Sequence, residues 1–209
     1  AVRTVSLRDM EPAVPEPHAA ETGEFEEAVD ALGQPRLSRR ERIVQLDEIA
    51  KIGERVGADG VRHLCAALPR LWDTLLVQCL HREKLVRVYG LRALRKLSPD
   101  APLAGRLFEH RFIVPIMRAF DTDAASLTMD PRTPRRQTKE TTMQSEKLQA
   151  LKLVAHLVQV GASAIPRGVC MLLVSVSEDK KNPDTTFRRM CLETLRDLLV
   201  RNTKLVASC

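Results

Sequence analysis

The sequence predicts an all-α chain built as a right-handed α-solenoid of armadillo/HEAT-like repeats. In segment after segment, apolar residues recur at helical spacing, and few stretches alternate with period two. Aromatic residues make up only 3% of the 209, so the core must be packed from Leu, Val, Ile and Ala. The helices also align with one another. Leu91 and Leu94, Leu151 and Val154, and Leu192 and Leu195 are equivalent pairs, and Arg87, Lys147 or Arg188 stands four residues before the first of each. The later spacing, 151 to 192, is 41 residues, within the usual length of HEAT and armadillo units. The earlier spacing, 91 to 151, is 60, and a polar insertion accounts for the excess. No single hairpin of this kind buries its own apolar face, so the units stack.

Residues 1–37 hold eight carboxylates and three arginines, with Pro12, Pro15 and Pro17 among them. So little apolar mass predicts a largely flexible acidic lead, with at most a weak helix around Glu24 to Leu32. Ordered helical repeats are expected over 38–209. Ser38-Arg39-Arg40-Glu41 matches a capping box, followed by a stripe of Ile43, Leu46, Ile49 and Ile52 that Gly53 and Gly57 loosen. Asp59 suits the cap of a short helix from Val61 to Leu68. Pro69 suits the first turn of the next, where Trp72, Leu75, Leu76 and Cys79 share a face.

After a break near His81 comes the amphipathic stretch that the later helices repeat, Glu83 to Leu97. Leu85, Val88, Leu91, Leu94 and Leu97 line one side, with Arg87, Arg92, Arg95 and Lys96 on the intervening surface. Gly90 in its middle costs about 1 kcal/mol relative to Ala, which close approach of a neighbouring helix would justify. Ser98-Pro99-Asp100 turns the chain into a helix carrying Leu103, Leu107 and Phe108. Phe112 to Phe120 forms another, with Pro115 near its start.

The stretch from 122 to 144 is polar, Thr-rich and broken by two prolines, and is read as a disordered insertion. It offers a Thr-Pro site at Thr133 and an Arg-Arg-x-Thr site at Thr138, both patterns that kinases read. Helices resume at Ser145, with Leu148, Leu151, Val154, Leu157 and Val158 inward. Pro166 starts the next, with Val169, Leu172, Leu173 and Val176 inward. Asp184 or Thr185 caps the last full helix, Phe187 to Val200, with Leu192, Leu195 and Leu198 on its inner face.

The net charge of +6 divides unevenly: the lead carries −5, leaving +11 on residues 38–209. A basic helical body suits phosphate, acidic protein or anionic lipid, or simply a solvated surface. Five dispersed cysteines among apolar residues read as reduced core thiols of a cytosolic protein. No apolar run reaches membrane-spanning length, and the chain reads as a soluble fragment of a longer protein.

Catalytic signatures are absent: no Gly-rich phosphate loop, GxSxG or HExxH occurs, so no enzyme, cofactor or small-molecule substrate is expected. His63-x-Cys65 and Cys79-x-His81 are zinc-ligand residue types, but residues two apart on a helix point to different faces, so no metal site is expected.

The string LVRVYGLRALRKL at 85–97 resembles the armadillo-type N-terminal region of the Rictor/Pianissimo family. SEKLQALKLVAHLV at 145–158, the helix start at Ala164-Ile165-Pro166, and FRRMCLETLRDLLVRN at 187–202 follow in the expected order, and the resemblance covers about residues 40–209. The insertion and the acidic lead have no counterpart in it. The resemblance implies a non-catalytic scaffold subunit of TOR complex 2, holding the kinase and its substrate-recruiting partner so that AGC-family kinases are phosphorylated. It also implies a cytoplasmic place, peripheral to membranes where the complex is. Partner-binding candidates are the basic ridge residues Arg87, Arg92, Arg95, Lys147, Arg188 and Arg189. Two other readings stay open: an unrelated HEAT-like adaptor in trafficking or transport, and a basic helical-repeat nucleic-acid binder. The single Trp and single Tyr weigh against the second, because repeat-type RNA readers place stacking groups at equivalent positions.

Overall fold

A computed structural model describes residues 19–126, 146–179 and 184–207, with side chains given outside 19, 121–126, 206 and 207. The described residues are helices and turns, with no strand. The elements are α1 (Ala19–Gly33), α2 (Arg39–Ala67), α3 (Leu71–Cys79), α4 (Lys84–Lys96), α5 (Ala101–Glu109), α6 (Ile113–Ser126), α7 (Glu146–Gly161), a 3-10 turn (Ala162–Ala164), α8 (Arg167–Glu178), α9 (Thr185–Arg201) and α10 (Thr203–Ala207).

The helices start where side chains satisfy the orphan N–H groups of a first turn. The capping box at α2 is formed: the Glu41 amide donates to Ser38 Oγ at 3.3 Å, and the Ser38 amide donates to Glu41 Oε2 at 2.8 Å. Asp100 caps α5 through Leu103 and Asp184 caps α9 through Phe187. Asn202 ends α9 and accepts from the Leu205 amide at the start of α10. Gly57, at φ 68° and ψ −173°, kinks α2, as its glycine predicts. Between α5 and α6 the chain turns through Arg111 at φ 65°. Phe112 N–H donates to Leu107 O and Arg111 N–H to Phe108 O, the paired bonds of a Schellman turn without its usual glycine.

Two expectations differ from what is found. The acidic lead contributes α1, longer than the weak helix its sequence suggests. Phe25, Ala28, Val29 and Leu32 are buried in it, because their i, i+3, i+4, i+7 spacing matches the face of α2. The stretch 122–144 overlaps the end of α6, and residues 127–145, including Thr133 and Thr138, lie outside the described residues.

Packing is serial. α4 lies between α2 and α7, and α7 lies between α4 and α9. α3 packs on α4, α5 and α6 on α7, and α8 on α9. The three later helices of this row each carry two adjacent stripes. The backward stripes are Val86–Gly90–Ala93–Leu97, Glu146–Ala150–Leu153–Leu157 and Phe187–Cys191–Thr194–Leu198, and every member is buried. Gly90 supplies the close approach its sequence calls for: a Cβ there would sit 2.8 Å from Cys79 Sγ of α3.

Candidate interaction surface

One residue later in each helix runs a forward stripe: Arg87–Leu91–Leu94–Ser98, Lys147–Leu151–Val154–Val158, and Arg188–Leu192–Leu195–Leu199. Residues four, three and four apart share a helix face, so each stripe points at one neighbour. For α4 that neighbour is α7. Arg87 meets Glu146 at one end of the stripe, and the Ser98 carbonyl meets His156 Nε2 at 2.8 Å at the other. For α7 it is α9, where Lys147 Nζ lies 4.8 Å from the centroid of the Phe187 ring.

The six basic candidates therefore do not form one ridge. Arg87 is 5% exposed and is removed from the partner-binding set. Its Nε and Nη2 donate to the two Glu146 oxygens at 2.7 and 2.6 Å, and its Nη1 donates to the carbonyls of His81 and Arg82, both at 2.8 Å. A bidentate pair with its remaining hydrogens on carbonyls is the geometry in which a buried charge is tolerated. Lys147 and Arg188 are half-buried on forward stripes. Arg188 Nε donates to the Ser177 carbonyl at the end of α8, 3.1 Å away. The α9 register is also corrected. Leu198 is buried as its sequence predicts, but Leu192, expected inward, is 52% exposed, and Phe187, Cys191 and Thr194 are buried.

Arg92 and Arg95 are half-buried and Arg189 is exposed, and all three lie off the forward stripes. Arg92 Nη1 donates to Asp47 of α2 at 2.9 Å, and its guanidinium lies 5.9 Å from the Tyr89 ring centroid. Burial, and then the neighbouring Arg92 charge, hold Arg95 below the usual guanidinium range. Arg189 is exposed beside Glu193, at 3.6 Å. Lys96 reaches Glu54 of α2 at 2.8 Å, and Gln159 of α7 reaches Asp197 of α9 at 3.0 Å. The solvent side of the row is thus laced by polar bonds between successive helices.

Sequence reasoning missed Arg42 and Gln78. Arg42 is buried and donates to the carbonyls of Leu32, Gln34, Pro35 and Leu37 and to Gln78 Oε1. Gln78 Nε2 donates to the same Leu32 carbonyl. This clamp holds the turn after α1 against α3. A hollow of about 300 Å³ lies beside it, floored by donors already committed to backbone carbonyls. The signal was present: Arg42 falls four residues before Leu46 on the buried stripe, as Arg87 does before Leu91.

Burial pushes the thiols of Cys65 and Cys191 up to about 12, and that of Cys79 higher still, so they are inert as nucleophiles. His63 is exposed while Cys65 is buried, and no group of three metal-ligating side chains occurs among the described residues. His110 stacks on Trp72, with ring centroids 5.8 Å apart. Among the described residues, no helix is long and apolar enough to cross a membrane.

The family model described as "Rapamycin-insensitive companion of mTOR, N-term" matches residues 62–209. Curated relatives include the rapamycin-insensitive companion of mTOR of Mus musculus and of Homo sapiens. Each is 29% identical over 133 residues, covering 64% of this chain and 7% of its own length. Protein pianissimo A of Dictyostelium discoideum is 25% identical over 167 residues, 79% of this chain and 13% of its own. The chain thus spans a small part of the relatives it matches. No solved structure matches.

Proposed function

Because this chain belongs to the family of the N-terminal region of the rapamycin-insensitive companion of mTOR, we propose that it is a scaffold segment of a TOR kinase assembly of the TOR complex 2 type. In this reading the segment is non-catalytic. It is a piece of a right-handed α-solenoid that holds the kinase and its substrate-recruiting partner together, so that AGC-family kinases are phosphorylated in the cytoplasm or at membranes. The observation that carries it is the family match over residues 62–209. The serial packing of α2, α4, α7 and α9 supports it, since a row in which each helix meets mainly its neighbours is how stacked repeats are built. In the same reading the repeat region is 38–209, extended at its front by α1.

Partners meet the solvent side of the row, where Arg92, Arg95 and Arg189 are presented among inter-helix polar bonds. Affinity purification of the full-length protein from its own cells, with mass spectrometry of what accompanies it, tests the assignment. A TOR kinase is expected. Its clean absence, with bait folded and abundant, leaves an unrelated helical adaptor. Reversing Arg92, Arg95 and Arg189 together, with helicity checked by circular dichroism, should reduce kinase recovery, and undiminished recovery removes these residues from the interface. Thr133 and Thr138 are proposed as phosphorylation sites, which phosphopeptide mapping under changing growth signals will confirm or remove.

A further inference from the structure

We infer that the forward stripe of α9, Arg188–Leu192–Leu195–Leu199, is the seat of a further α-helix of the full-length protein, one that carries a carboxylate in its first turn. The inference rests on the stacked-repeat reading above and assigns the residues of the next junction.

Two equivalences carry it. On α4 and α7 the two central apolar positions of the forward stripe are closed: Leu91, Leu94, Leu151 and Val154 are each 1% exposed or less. On α9 the same register is open, with Leu192 52% and Leu199 46% exposed and Leu195 half-buried. Two leucines two turns apart on one face are not scattered surface residues; they continue a stripe that is covered wherever the row continues. The charge pattern repeats too. Arg87 satisfies the His81 and Arg82 carbonyls in the turn between α3 and α4 with one nitrogen and gives two others to Glu146, the first residue of the helix that covers its stripe. Arg188 satisfies the Ser177 carbonyl that ends α8 through Nε. Among the described residues, its terminal nitrogens meet no carboxylate. Arg188 therefore keeps its two terminal nitrogens for a carboxylate, where Arg87 uses Nε and Nη2.

The occupant's chemistry follows from the backward stripes that fill the other junctions. Glu146, Ala150, Leu153 and Leu157 seat α7, and Phe187, Cys191, Thr194 and Leu198 seat α9. The occupant presents a first-turn Asp or Glu for Arg188, and small or aliphatic residues four, seven and eleven positions later. A first-turn aromatic, as Phe187 is for Lys147, suits a lysine less strictly; the bidentate fork of an arginine selects a carboxylate. The curated relatives are many times longer than this chain, so the full-length protein is the natural source of such a helix.

The test uses full-length protein purified without its partners. Leu192→Cys and Leu199→Cys variants are labelled with a thiol reagent and quantified by peptide mass spectrometry. Val77→Cys, on the 61% exposed Val77 of α3, sets the open rate. Labelling about tenfold slower than at position 77 is expected, because access then requires local opening. Equal rates overturn the proposal. Protection that appears only when other chains are bound also overturns it and gives the face to a partner. A photo-crosslinking residue at position 192 should capture a peptide of the same chain outside residues 1–209 with Asp or Glu in its first helical turn, and capture of another chain overturns the assignment. Protection without a co-purifying TOR kinase removes only the proposed scaffold role, and full kinase recovery with open labelling removes only this junction.

Discussion

At the scale of single residues, the fold is fixed by a few buried polar groups whose removal should be costly. Arg87→Ala leaves Glu146 as an unpaired buried charge, so a loss of about 3–5 kcal/mol is expected in the denaturant midpoint. The double variant Arg87→Met with Glu146→Leu should return most of it, because an apolar pair of similar volume needs no desolvation of charge. Equal losses in single and double variants would mean instead that the pair itself stabilises the fold and that the unpaired charge adds no further cost. At Gly90, an added methyl group meets Cys79 Sγ at 2.8 Å. Gly90→Ala should therefore destabilise by about 1–3 kcal/mol through overpacking, and Cys79→Ala should relieve the loss, a coupling that a double-mutant cycle reads directly. His81 supplies a pH dependence. Burial, and then the charges of Arg42 and Arg82, hold its imidazole below the usual value, and its Nδ1 accepts from the Glu83 amide. The unfolded chain therefore binds this proton more tightly. Stability is full above the ordinary histidine value and falls as pH drops through it and toward the lowered folded value. Stability measured from pH 7.5 down to pH 5 should show this slope, and His81→Gln should flatten it.

At the scale of elements, the capping residues and apolar stripes announced nearly every helix from α2 onward. Ser38, Asp100, Pro166 and Asp184 stand at or next to the predicted starts, and Gly57 breaks α2 where its glycine allows. What the sequence did not reveal came from partners distant along the chain. α1 looked too polar to hold, because its four buried residues are scattered among glutamates and gain their value only against α2. Arg87 looked like a surface cation, because its carboxylate lies 59 residues away across a polar stretch. On α9 Leu198 was placed correctly but Leu192 was not: Cys191 and Thr194 are less apolar than the leucines that follow them, yet they are the buried ones, and hydropathy cannot say which stripe a neighbour covers. Arg111 was invisible, since arginine carries no turn signal. Its φ of 65° in the turn after α5 gives the expectation that Arg111→Gly stabilises by about 1 kcal/mol, measured by thermal unfolding.

At the scale of the whole molecule, helices that meet mainly their sequential neighbours give stability that is a sum of unit and junction terms. Breaking the Arg87–Glu146 junction should therefore raise hydrogen exchange in α4 and α7 well above that in α1 and in the α2 residues packed against it. A uniform rise along the chain would show a single cooperative core instead. The same pair has a consequence for how the chain is made. A ribosome adds about 5–20 residues per second, and Glu146 is encoded 59 residues after Arg87. The guanidinium thus emerges roughly 3–12 seconds before its carboxylate at that rate. During that interval α1, α2 and α3 have their Arg42 clamp complete, while α4 waits with an open apolar stripe and an unanswered charge. The nascent chain passes through a stage in which its front hairpin is finished and its fourth helix is a binding site for whatever reaches it first, a chaperone or its own α7.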